Sequence, residues 1–258
     1  MQTIVIATRV IRQLKGDRRF LALSLIAPLF IIYFLKLLFE GLQPEPSPMP
    51  AMPGMMRPVI PVGKFMMPAM AFIVHFLSFV LCTLLLVQER TRGTLERMLI
   101  TGFHKTAIIG GYTIGYFGLA TLQTLVVTAE AIWLFEADFD FKSLTMLFLV
   151  VWILSIVSVM LGIFISTFAR HEGHVIPFIP MILLPSVFLT GVIVDPDKLP
   201  GWAEFIGYLL PLRYANNIIS RIGEANFTFV DALPDFVILI GYAVGLLFIA
   251  SLTMKETE

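Results

Sequence analysis

Few residues in this chain have the means to do chemistry. Between Gln88 and Thr106 the stretch QERTRGTLERMLITGFHKT carries Glu89, Arg90, Arg92, Glu96, Arg97 and Lys105. In a protein otherwise short of charge, that stretch is a candidate contact for something in the water. Met49, Met52, Met55 and Met56 lie among prolines. Thioethers are soft ligands that suit Cu(I). With no cysteine or histidine beside them, a flexible loop making weak apolar contacts is the stronger alternative. His171 and His174 flank Glu172, an arrangement open to a metal ion, but a solvated turn is the stronger reading. Glu130 is an acid inside an apolar run, and such an acid is a functional hypothesis by default. Its place near the end of the run also fits a headgroup-level or gate-side position. His75 interrupts another apolar run, where a lone histidine is expected to be a hydrogen-bonded packing residue. Pro185, with Pro177 and Pro180, breaks a third. A run broken in this way is a candidate for lining a pathway or for moving.

The missing motifs narrow the field. No GxxxxGK[ST] run occurs, so no phosphate loop is expected on this chain. HExxH, CxxC and GxSxG are absent too. Paired intramembrane carboxylates, expected of a proton-driven carrier, and a channel filter motif are also missing. Any work done across a membrane must then draw energy from a partner, through residues 1–19 or 88–106.

Composition sets the class of elements that hold these groups. Of 258 residues, 58% are apolar and 14% charged, against about 25% charged in soluble domains. The mean hydropathy is +0.89. The chain reads as an all-α integral membrane protein. Formal net charge is zero, so there is no general pull toward nucleic acid. The single cysteine, Cys82, allows no internal disulfide. No cleavable leader is expected, because residues 1–19 are too polar and the next run too long.

Six transmembrane helices are expected, at about 20–39, 65–87, 107–135, 143–168, 175–194 and 235–254, all within a single domain, 1–258. Twenty helical residues rise about 30 Å, enough to cross the hydrocarbon core. Residues 1–19 alternate Ile4, Val5, Val10, Ile11 and Leu14 with Arg9, Arg12 and Lys15. That spacing predicts an amphipathic helix lying on the membrane surface, apolar face down. Gly111, Gly115 and Gly118 recur at a spacing that permits close helix packing. Residues 195–234 are too apolar for a loop and too broken for a span. Two amphipathic segments split by Pro211 predict a re-entrant or interfacial hairpin.

An even number of spans places both termini on one side. Basic residues crowd into 1–19 and 88–106, so both termini and the charged stretch are expected in the cytoplasm. Within that stretch Leu95, Met98 and Leu99 share a helical face, and Arg92 and Glu96 form an i, i+4 pair. Gly102 suits a helix stop and Thr106 an N-cap. By these features alone, a rigid docking element and a solvated turn are equally good readings.

ERTRGTLERMLITG, Glu89 to Gly102, resembles the E-R-x-x-G-T-x-E-x-L pattern of membrane subunits of ABC-2 type transporters. RVIRQLKGDRR (9–19), LGIFISTFAR (161–170) and LTGVIVDPDKLPGWAEFIGYLLPLRYANNII (189–219) resemble that family's N-terminal elbow helix, fourth-span end and extracellular re-entrant hairpin. The departures are Gly102, where proline is frequent, Tyr112, where lysine is, and the methionine–proline loop. The resemblance implies a permease, itself not an enzyme, that pairs with a second permease copy and two ATP-binding subunits. ATP and Mg would sit on those partners, with no cofactor on this chain. Glu89, Arg90, Arg92, Gly93, Thr94, Glu96 and Arg97 would form the cytoplasmic coupling region. Expected cargo is a drug-like molecule, lipid, glycan or peptide moved outward across a prokaryotic plasma membrane. An ATP-independent channel or carrier, and a copper-handling membrane protein, are the alternatives.

Overall fold

The computed structural model describes residues 2–41, 62–135, 140–169, 171–222, 224 and 226–253, and every regular element among them is helical. Among the described residues, six segments are long and apolar enough to cross a membrane: 18–41, 65–91, 105–134, 141–166, 172–189 and 229–253. The methionine cluster at 49–56 lies outside the described residues.

At the centre stand α3 (Val62–Thr91) and α6 (Phe141–Ser166). Small residues set their approach: a Cβ on Gly162 would lie 2.9 Å from the Phe79 carbonyl oxygen. His75 Nδ1 meets Ser158 Oγ at 2.7 Å across this contact. Asp140 opens α6 by accepting a hydrogen bond from Ser143 N at 3.0 Å, which satisfies one of the unpaired amides of the first turn. On the flank, α5 (Lys105–Phe135) reaches α6 through Thr124 and Ser155, whose hydroxyls lie 3.2 Å apart.

On the N-terminal helix α1 (Gln2–Gly16) the apolar residues divide between two faces. The stripe of Ile6, Ala7, Val10 and Leu14 is covered by protein, chiefly α5. Gly111 and Gly115 explain why. A Cβ on Gly111 would fall 2.5 Å from Ile6 Cβ, and one on Gly115 2.5 Å from Val10 Cγ1. The exposed apolar residues of α1 are Ile4, Val5 and Ile11. Gly118 has open space around it and takes no part in this contact.

Asp17 then accepts from Phe20 N at 3.0 Å, and α2 (Arg18–Gly41) begins. It buries only Phe20, Ser24, Pro28 and Ile32, one stripe at four-residue spacing. The remaining faces are apolar and exposed, as lipid requires of a span at the edge of a bundle.

Three expected boundaries shift. Helix α3 continues through Glu89 and Arg90, so the charged stretch begins on a helix. The fifth span contains α7 (Phe178–Leu189), only 12 residues. At 1.5 Å per residue that is about 18 Å, short of the hydrocarbon core. A 3-10 turn at Glu172–His174 precedes it, and Gly191, at φ 91°, turns the chain after it. Pro177 marks its start and Pro185 lies within it, as the proline spacing predicts. The sixth span, α10 (Phe229–Thr253), starts at 229, not at 235.

Between α7 and α10 lie α8 (Gly201–Tyr208) and α9 (Pro211–Arg221), separated at Leu209–Leu210. The large apolar residues of α8, Trp202 and Phe205, are exposed, whereas α9 is mostly buried. Tyr214 and Tyr242 both donate to the Tyr208 carbonyl, at 2.8 and 3.0 Å, which pins the end of α8 to α9 and α10.

Candidate functional site: a polar junction beneath a short helix

Between α3 and α5 the chain forms α4 (Thr94–Ile100), a helix of two turns bounded by glycines at positive φ. Gly93 has φ 67° and Gly102 φ 86°. At the C-terminal end Gly102 N bonds Leu99 O and Phe103 N bonds Met98 O, at 3.0 and 3.1 Å. This is the paired Schellman pattern that satisfies orphan carbonyls and favours glycine at the turn. The predicted stop at Gly102 is therefore present. Thr106 is not an N-cap, since α5 already begins at Lys105 and Ile108 N bonds His104 O. The expected Arg92–Glu96 pair does not form either. Gly93 reverses the backbone between them, so Arg92 lies outside the helix and the i, i+4 geometry is lost.

The seven residues singled out in this region divide into three groups. Arg92, Glu96 and Arg97 are exposed, and Ile100 beside them is 85% exposed. Leu95 and Met98 face inward, into a cluster with Ile6, Val10, Leu86 and Ile108. Gly93 and Thr94 form the entry to α4. Glu89 and Arg90, on the last turn of α3, turn into the protein. Arg90 Nη1 donates to the Thr167 carbonyl at 3.1 Å, placing a cation at the C-terminal end of α6 where the helix dipole favours it.

Glu89 is 4% exposed, and a carboxylate at a helix C-terminus opposes the dipole. Three donors answer it. Arg9 Nη2 lies 3.0 Å from Oε2, Gln13 Nε2 2.6 Å from Oε1, and the Tyr112 hydroxyl 3.1 Å from Oε2. Burial works against the Arg9 cation, but the hydrogen bond and charge of Glu89 outweigh it and raise its pKa. Arg9 Nη1 also reaches Met98 Sδ at 3.7 Å. At the rim Gln2 donates to the Gly102 carbonyl at 3.1 Å and accepts from His104 N at 3.2 Å. One carboxylate thus joins α1, α3 and α5 directly beneath α4. Sequence reasoning missed the three donors. Arg9 belonged to a basic stretch whose partner was not legible, and Tyr112 stood out only as a departure from a pattern.

Other candidates lie elsewhere. Glu130 is buried on α5, about 27 Å beyond Tyr112 along the helix axis. Its Oε2 has no hydrogen-bond partner among the described residues. His75 is buried and hydrogen-bonded within the α3–α6 contact. Pro185 is half-buried inside α7. The His171 and His174 rings lie with centroids 3.7 Å apart. No group of three metal-ligating side chains occurs among the described residues.

The comparisons with known proteins agree with this architecture. The profile described as ABC-2 type transporter matches residues 1–222. ABC transporter G family member 20 of Dictyostelium discoideum is 24% identical over 197 residues, covering 75% of this chain and 27% of that protein. The probable multidrug ABC transporter permease YbhS of Escherichia coli K12 is 25% identical over 189 residues, 73% of this chain and 50% of the relative. YbhR of the same strain, also named a probable multidrug ABC transporter permease, is 23% identical over 159 residues, 61% and 43%. The matched regions thus span about a quarter to a half of the length of these curated relatives. With six apolar segments and a profile match across most of its length, this multi-pass membrane chain belongs to the ABC-2 type transporter family.

Proposed function

We propose that the chain is the membrane-spanning permease of an ATP-driven exporter. Two ATP-binding subunits would engage it, and a second permease copy would complete the assembly. The observation that carries this reading is α4: a capped helix presenting Glu96, Arg97 and Ile100 outward, seated by Leu95 and Met98, and tethered to two spans. In this reading α4 is the coupling helix, α1 the elbow, and α8–α9 the extracellular re-entrant hairpin. Both termini face the cytoplasm, and hydrolysis of ATP with Mg takes place on the partners. A push on α4 reaches α1 and α5 through Met98, Arg9 and Glu89, and reaches α6 through Arg90. The four helices then move as one body, because breaking the junction would strand a buried carboxylate. Relatives named as multidrug permeases support a drug-like or otherwise amphipathic cargo.

The test is coexpression with the ATP-binding subunits, reconstitution in proteoliposomes, and ATPase assay. Wild-type permease should copurify with them and raise their ATPase rate. Glu96→Arg should remove that stimulation while leaving insertion and thermal stability unchanged, since an exposed substitution of this kind alters stability by only about 0.5 kcal/mol. Full stimulation by the variant would overturn the role of α4. Cargo transport in vesicles without ATP or partner would overturn the exporter reading.

A further inference from the structure

The end of the bundle opposite α4 contains a cleft of about 500 Å³, a volume typical of small-molecule sites. It lies beside Phe65, near the start of α3, about 36 Å along that helix from Glu89. Its other walls are the turn after α7 and one face of α9. The turn is held in place by Asn216, whose Nδ2 donates to the Thr190 carbonyl at 3.0 Å. Asn216 is 3% exposed and its Oδ1 has no hydrogen-bond partner among the described residues. An acceptor kept from water without a donor is costly, and Asn216 is part of the cleft wall. Asn217 and Ser220 add further polar groups on the same wall.

The charges around the cleft balance. Lys198 and Arg221 supply two cations, Asp195 and Glu224 two anions. Arg221 and Glu224 are exposed and only loosely paired, at 3.7 Å. Walls of both signs favour a ligand that carries both signs over a net anion or a net cation. Beside these charges the surface is apolar. Ile193 lines the cleft and is exposed, and the turn leads back to exposed Phe188 and Leu184 on α7. A polar head in the cleft would leave alkyl chains along that face.

We propose that this cleft binds the phosphate–ammonium zwitterion of a phospholipid headgroup. The phosphate takes Lys198 and Arg221, and the ammonium takes Asp195 and Glu224. The site needs neither ATP nor a partner subunit and goes beyond the transport reading, so the two stand or fall separately.

Native mass spectrometry of the full chain in detergent, with equimolar phosphatidylethanolamine and phosphatidylglycerol, tests it. The zwitterionic lipid should be retained in about tenfold preference, the scale of one charge-assisted contact. Asp195→Asn combined with Glu224→Gln, which removes the two charges that face the ammonium, should abolish the preference. Ser220→Trp fills the cleft from an exposed position without removing charge, and it should weaken retention even if the double variant fails to fold. Excess free phosphoethanolamine separates the two sources of this chemistry. Full displacement of the lipid supports the zwitterion site and shows the acyl chains to be dispensable; no displacement supports the site with the chains contributing. Equal retention of the two lipids, unchanged by Ser220→Trp, overturns the proposal.

Discussion

Replacing Glu89 with alanine takes one acceptor from three donors at once. The Tyr112 hydroxyl is buried, and leaving it without a partner costs about 1–3 kcal/mol. Arg9 is 39% exposed, so water takes over part of its hydration and its loss follows the exposed-pair scale, below about 1 kcal/mol. Gln13 is half-buried and adds a further fraction. Together these give about 2–4 kcal/mol, a change of about 30- to 900-fold in a local opening equilibrium. The cost should fall on α1, because two of the three donors lie on it. Amide hydrogen exchange reads this directly, since local opening is resolved segment by segment. Protection in α1 should drop by that factor while α10 stays unchanged. Tyr112→Phe, which leaves Arg9 on the same carboxylate oxygen, should cost only about 1 kcal/mol. A double-mutant cycle between Arg9→Ala and Glu89→Ala should show a coupling of about 0.5–1 kcal/mol. Wild-type protection of α1 in Glu89→Ala, or strict additivity in the cycle, would refute the junction.

Two further outcomes can be checked with the same protein. Gly111→Ala puts a methyl group 2.5 Å from Ile6 Cβ and 3.0 Å from the Thr3 carbonyl; it should cost about 1–3 kcal/mol through overpacking and lower the thermal midpoint, whereas Gly118→Ala, in open space, should not. At the start of α6, the hydrogen bonds from Ser143 hold the Asp140 carboxyl below the ordinary aspartate value of 3.8. Its contribution to stability is therefore present above that value and lost as pH falls through the lower folded value. Asp140→Asn keeps a cap that does not titrate. The acid-induced rise in exchange at the first turn of α6 should be seen in the wild-type chain and be absent from the variant.

Much of the fold was legible because its causes are local. The apolar runs predict six segments, and the break near Pro177 and Pro185 is present. The glycine stop at Gly102 is a property of one residue's backbone freedom. The errors arose where the outcome depends on a partner. Arg92 and Glu96 looked like a helical pair until the turn at Gly93 separated them. The stripe on α1 announced an apolar surface that must leave water, but an amphipathic pattern does not say whether lipid or protein covers it. The close approach of Ile6 to Gly111 gives one stripe to α5, while Ile4, Val5 and Ile11 stay exposed.

The sequence by itself determined that this chain is a multi-pass membrane protein with a charged stretch between its second and third spans. Run length, proline and glycine act over a few residues and need no distant neighbour. Only the tertiary structure divided that stretch into an outward face and an inward junction. Glu89 meets Arg9 and Tyr112 from 80 and 23 residues away, and a buried charge is held where packing brings donors to it.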